Sequence, residues 1–193
     1  MGRKFNRRRK KTVTRESVEA RKAGLVITLR RRDALHRQLN IAIQMWFLGQ
    51  DSVSIHLLVM PAYHVLCDLA GNTGNAPNIH EFVGDSFDTG YDWLRHASND
   101  PNDIIDFPPR VNDFLLWVCS ISFQKIFGGT TPFMRAFQAY FVLWLAPENP
   151  KLREGANYFM PNGLSVEEAV SLTRSDFFVK LTEMFAAQIK PIP

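Results

Sequence analysis

The stretch PPRVNDFLLWVCSISFQKIFGGTTPFMRAFQAYFVLWL, residues 108–145, decides the fold class. Pro108 and Pro109 suit a helix start, where a missing backbone N–H removes no hydrogen bond. Phe114, Leu115, Val118, Cys119, Ser122, Phe123 and Ile126 then recur at the spacing of one helix face, and Gly128-Gly129 ends the run. Thr131-Pro132 is a capped start for a second helix, apolar nearly all round to Leu145 and stopped by Pro147. The expectation is an antiparallel pair, 110–127 and 132–145, at the centre of the core. No segment shows the sustained period-two alternation of a strand, and no internal repeat is present. The fold class expected is therefore all-α, a helical array of about six or seven helices.

Upstream of that pair, Leu35, Leu39, Ala42, Ile43, Trp46 and Phe47 form a helical stripe within 28–47, closed by Gly49. Asp51, Ser52 or Ser54 caps a second helix running through Leu69 to Gly71, with Pro61 expected to bend or divide it. Residues 71–78 read as a loop, 79–82 as a short helix and 88–97 as another, broken by the turn residues of 98–103. Downstream, Ser165-Val-Glu-Glu168 has the form of a capping box, in which each side chain satisfies a free donor of the first turn, and Thr173-Arg-Ser-Asp176 repeats the arrangement.

Charge divides the chain unevenly. Residues 1–32 carry thirteen Lys or Arg against Glu16 and Glu19, a net +11, whereas the remainder carries a net −7. Residues 1–24 lack apolar periodicity, so the domain reading is a flexible basic arm, 1–24, followed by a helical domain, 25–193. A cationic arm points to a polyanionic partner, with Arg3, Lys4, Arg7, Arg8, Arg9, Lys10, Lys11, Arg30, Arg31 and Arg32 as phosphate contacts. A solubilising tail or a localisation signal has the same composition. Cys67 and Cys119 lie in apolar runs and suggest core positions in a reducing compartment, not a disulfide framework. No uninterrupted apolar run reaches membrane-spanning length and no apolar segment of a secretion signal follows the basic start, so a cytoplasmic protein without membrane contact is expected. Walker loops, dinucleotide fingerprints, nucleophile elbows and kinase signatures are missing from the sequence, which disfavours nucleotide and acyl-transfer chemistry. No cofactor or metal is assigned.

The histidines form the candidate catalytic set. His64 and Asp68 are one helical turn apart, and His56 lies two turns upstream, about 80° round the axis. His96 with Asp100 ends a later helix, so all five residues are candidates for one pocket. An imidazole and carboxylate set suits metal-assisted hydrolysis or acid–base catalysis by a His that an Asp orients. A His–Asp pair at this spacing is also a common way to fix helix packing by a buried hydrogen bond. Separately, Arg31 and His36 enclose four residues, a pattern similar to the Arg-x4-6-His motif of helical ribonucleases of the HEPN superfamily. That resemblance implies action of the pair on a scissile RNA phosphate. A solvated basic helix face explains the same residues.

The segments DSVSIHLLVMPAYHVLCDL, 51–69, and WLRHASNDP, 93–101, resemble two motifs of an uncharacterised bacterial helical family, which read roughly D-P-[VI]-[SA]-[VI]-H-T-L-A-x-A-A-H-E-I-L-x-D-L and F-F-K-H-A-D-x-D-P. The likeness extends over about residues 32–145. It implies that His56, His64, Asp68, His96, Asp100 and Pro101 occupy the family's polar motif positions. The chain departs from the pattern at Pro61, at Val65, where an acidic residue would follow the His, and at Ser98; the resemblance brings no activity with it.

Three functional expectations follow. The first is an accessory or effector protein that binds nucleic acid or a ribonucleoprotein through its basic arm. The second is a HEPN-like ribonuclease or metal-assisted hydrolase using His56, His64 and His96. The third is a helical protein-interaction module, with a protein partner or a second copy on the helical body.

Overall fold

The computed structural model describes residues 24, 26–71, 91–93, 104–145 and 155–188, and every regular element among them is helical. The elements are α1 (Arg31–Phe47), α2 (Ser52–Gly71), α3 (Val111–Phe127), α4 (Pro132–Tyr140) with a π-helical extension Phe141–Leu145, α5 (Ala156–Phe159), α6 (Val166–Ser171) and α7 (Arg174–Gln188). The all-α class read from the sequence is the class of the structure. The chain divides into two units, Met1–Arg31 and Arg32–Pro193, the second containing the hydrophobic core. The helices read at 79–82 and 88–97 lie outside the described residues except at 91–93, which are helical.

Local chemistry accounts for the helix ends. At the close of α1, Gly49 takes φ 64°, where a Cβ would be strained; its N–H reaches the Trp46 carbonyl at 3.1 Å while the Gln50 N–H reaches the Met45 carbonyl at 2.9 Å. That pair of bonds is a Schellman motif. Asp51 Oδ2 accepts the Ser54 N–H at 2.7 Å and caps α2, and the Thr131 hydroxyl accepts the Met134 N–H ahead of Pro132. Ser165 accepts the Glu168 N–H as the capping box requires, but the Glu168 carboxylate binds the ammonium of Lys180 on α7. In the second box Thr173 accepts the Asp176 N–H at 3.1 Å and donates to its carboxylate at 2.6 Å.

The six residues of the stripe on α1 are its six buried residues. Pro61 does not divide α2, which runs unbroken from Ser52 to Gly71. An internal proline costs about 3 kcal/mol; burial of Ile55, Val59, Met60, Ala62, Tyr63 and Leu66 opposes that cost. By length and composition α2 could cross a membrane, with mean hydropathy 1.5 over a window of which 44% is buried inside the protein. Packing as a core helix meets the same description.

The central pair differs from expectation. Helix α3 packs most extensively on α2, and α4 on α7, with a smaller α3–α4 contact. Helix α3 is buried on more than one face, including Leu116 and Ser120 outside the expected stripe. The expected single helix 132–145 changes to π geometry at Phe141, where the Phe141 ring stacks on Trp117 at 4.6 Å and Trp144 on Tyr140 at 4.5 Å. Rings knit α1, α4 and α7 together: Trp46 meets Phe137 edge-on at 5.0 Å, and Phe47 stacks on Phe178 at 4.4 Å.

Candidate functional site

The histidine set does not form one pocket among the described residues. His56 is completely buried; its Nδ1 lies 3.0 Å from Asn112 Oδ1, and its ring meets Phe107 edge-on at 5.0 Å. Since the amide oxygen can only accept, Nδ1 carries the proton. Asn112 also donates to the Ser52 carbonyl at 2.8 Å, so the pair ties the first turn of α2 to the first turn of α3. His64 and Asp68 are exposed, about 80° and 120° further round the same helix, with the Tyr91 ring 5.7 Å from that of His64. The pocket expected of His56, His64 and Asp68 is thus split between core and solvent, because their offset about the axis carries them across the boundary of the buried face. His96 and Asp100 lie outside the described residues, as do Arg3, Lys4, Arg7, Arg8, Arg9, Lys10 and Lys11. No cluster of three metal-ligating side chains occurs among the described residues.

The ribonuclease-like pair differs in exposure. Arg31 is exposed and His36 half-buried. Burial lowers the His36 pKa, with Arg37 and Arg32 acting in the same direction and Asp33 opposing. His36 Nε2 lies 3.2 Å from the Asn40 amide nitrogen, and Thr131 donates to Asn40 Oδ1 at 2.7 Å. His36 therefore terminates a hydrogen-bond chain reaching the cap of α4.

Arg30 and Arg31 are exposed, and Arg32 lies 4.0 Å from Asp33. They stand at the start of α1, where the helix dipole disfavours positive charge.

A second polar centre was not read from the sequence. Trp46 on α1 donates its indole N–H to Asp113 Oδ1 on α3 at 2.7 Å. Arg174, at the start of α7, lies 3.8 Å above the Trp46 ring and donates to the Trp46 carbonyl, so it also serves an end carbonyl of α1. Arg110 Nε stands 4.0 Å from Asp113 Oδ2. These groups, with Tyr140, border a recess of about 330 Å³. Burial pushes the Asp113 carboxyl above its usual value, against the Trp46 hydrogen bond and the charges of Arg110 and Arg174. Burial likewise raises the Tyr140 phenol, opposed by Arg174 and aided by Asp113. Asn112 and Asp113 are the sequence signal: two adjacent polar residues just ahead of the apolar run 114–119. Their partners lie 56 and 67 residues away, beyond the reach of periodicity.

No family model matches the chain, and neither a curated protein nor a solved structure does.

Proposed function

We propose that the protein is an accessory or effector protein that binds nucleic acid or a ribonucleoprotein through its basic N-terminal segment, the helical body supplying partner choice. The observation that carries this reading is the partition of charge, +11 over residues 1–32 against −7 over the rest. The exposed Arg30 and Arg31 support it, because cations at a helix N-terminus run against the dipole by about 0.3–1 kcal/mol each. Helix stability does not account for their position, whereas a phosphate backbone would. The rival enzyme reading draws less support, since His56 is enclosed while His64 and Asp68 face solvent.

The test is binding of a labelled RNA and a labelled DNA across a salt series. Each phosphate contact releases condensed counterions, so five contacts give a slope of log affinity on log salt near about −4. Deleting residues 2–11 is expected to flatten that slope. Phe5 is the only aromatic ring among residues 3–11, so binding by the segment should be largely indifferent to base sequence. A truncated protein that binds both polymers as tightly and with the same slope overturns the proposal.

A further inference from the structure

Two guanidinium groups and a carboxyl converge on the recess beside Trp46, and binding of a polymer by residues 3–11 makes no use of them. We propose that this recess binds a small phosphate monoester carrying hydroxyl or amine groups, a sugar phosphate or a mononucleotide. Arg110 and Arg174 hold the phosphate, and Asp113 accepts from the donor groups of the same molecule.

Each part of the assignment rests on a separate feature. Arg174 is already held, over the indole ring and bonded to the Trp46 carbonyl, so little side-chain freedom remains to be lost on binding. A guanidinium has five donors, and a bond to one carbonyl leaves others for phosphate oxygens. Arg110 is anchored at its base by α3, while its side chain is 79% exposed and its Nε stands 4.0 Å from Asp113. Two guanidinium forks on one recess are the recognition chemistry of phosphate. Asp113 excludes a bare oxyanion as the best occupant, because its carboxylate repels one. Its Oδ1 holds the Trp46 N–H, and Oδ2, the oxygen turned toward Arg110, is the acceptor left for a ligand hydroxyl or amine. Ile55 and Pro109 supply an apolar wall. A volume of about 330 Å³ falls at the lower end of the range that encloses small organic ligands.

The Trp46 indole N–H is a reporter inside the site, because it is hydrogen-bonded to Asp113 at 2.7 Å. Its proton–nitrogen NMR signal, assigned with a Trp46→Phe variant, is followed in the full chain during titration with inorganic phosphate, ribose 5-phosphate and a nucleoside 5′-monophosphate. The expected result is a saturable shift, with at least one organic phosphate binding about tenfold more tightly than inorganic phosphate, the effect of one additional charge-assisted hydrogen bond. Tighter binding of the nucleotide assigns a nucleotide, and equal binding of the two organic phosphates assigns a sugar phosphate. Arg110→Gln, at an exposed position, should weaken all three by about tenfold or more. Asp113→Asn keeps an acceptor for Trp46 but removes the charge, so it should tighten inorganic phosphate and reduce the preference for the organic esters. The proposal is overturned by the absence of a saturable shift up to about 10 mM, a range that detects even millimolar affinity. It is equally overturned by a shift that Arg110→Gln leaves unchanged, or by inorganic phosphate binding as well as the esters, which marks an adventitious ion only. Failure here is distinct from failure of the nucleic-acid reading, since deletion of residues 2–11 tests that reading while leaving every residue that lines the recess in place.

Discussion

Asn112 and Asp113 are neighbours in sequence on the same buried helix, yet they build two different environments. Asn112 turns toward α2, where His56 and the Ser52 carbonyl close it off. Asp113 turns toward α1, where Trp46 takes one oxygen and the other is left at the edge of a recess bordered by Arg110 and Arg174. An enclosed pair adds to the specificity of helix packing. An acid at an opening, flanked by cations, remains able to exchange protons and partners. The difference teaches that a buried histidine is not a functional group by virtue of its chemistry alone; access decides.

The largest effect should come from removing the ring on which the Asp113 environment is built. Trp46→Ala deletes a ring in contact with Phe47, Phe137 and Tyr140, removes the platform beneath Arg174 and takes away the donor to Asp113. A loss of about 3–5 kcal/mol in chemical denaturation is expected. A loss below about 1 kcal/mol, the scale of an ordinary surface change, would sink the claim that this aromatic cluster joins the helices.

Asn112→Ala breaks the enclosed pair, stripping a partner from buried His56 and from the Ser52 carbonyl. The expected cost is about 1–3 kcal/mol in the same measurement. Phosphate titration of the recess should be nearly unaffected, and a strong effect there would erase the distinction between the two environments.

Asp113→Asn sharpens the comparison through pH. The folded-state carboxyl titrates above its ordinary value of 3.8, so over the interval from 3.8 up to the raised value the native state holds more proton than the unfolded chain. Its contribution to stability is greatest below that interval and falls as pH rises through it. The variant should lose this downward component of the stability profile and, with Trp46 still bonded to the amide oxygen, should be no less stable than the parent near neutrality. Thermal melts of both proteins from acid to neutral pH measure this; identical profiles would contradict the burial argument.

The smallest change is expected on the solvent side of α2. His64→Ala and Asp68→Ala should each alter stability by less than about 0.5 kcal/mol, because both side chains are exposed. A matching loss of any nuclease activity in either variant would restore the enzyme reading.

Much of the fold was legible in the sequence because helix formation is governed by interactions within a turn or two. The buried residues of α1, the cap at Thr131 and the half-boxes at Ser165 and Thr173 all arise from spacings of three or four residues. The division of charge is likewise a property of the sequence alone. At Glu168 a distant group intervened, Lys180 taking the carboxylate, while α2, packed on α3, is not divided at Pro61. The His56, His64 and Asp68 reading failed as a shared pocket because helical spacing gives an angle about an axis but not the side from which another helix will approach.

What the sequence alone determined, then, is an all-α chain with its helix stripes, its caps and a strongly basic N-terminal segment. Only the tertiary structure decided that His56 meets Asn112, that Trp46 meets Asp113, and that Arg174, 128 residues beyond Trp46, closes over its ring. The physical reason is that periodicity repeats within a few residues, whereas a recess requires separate helices to pack in one relative register, chosen by the fit of the whole core.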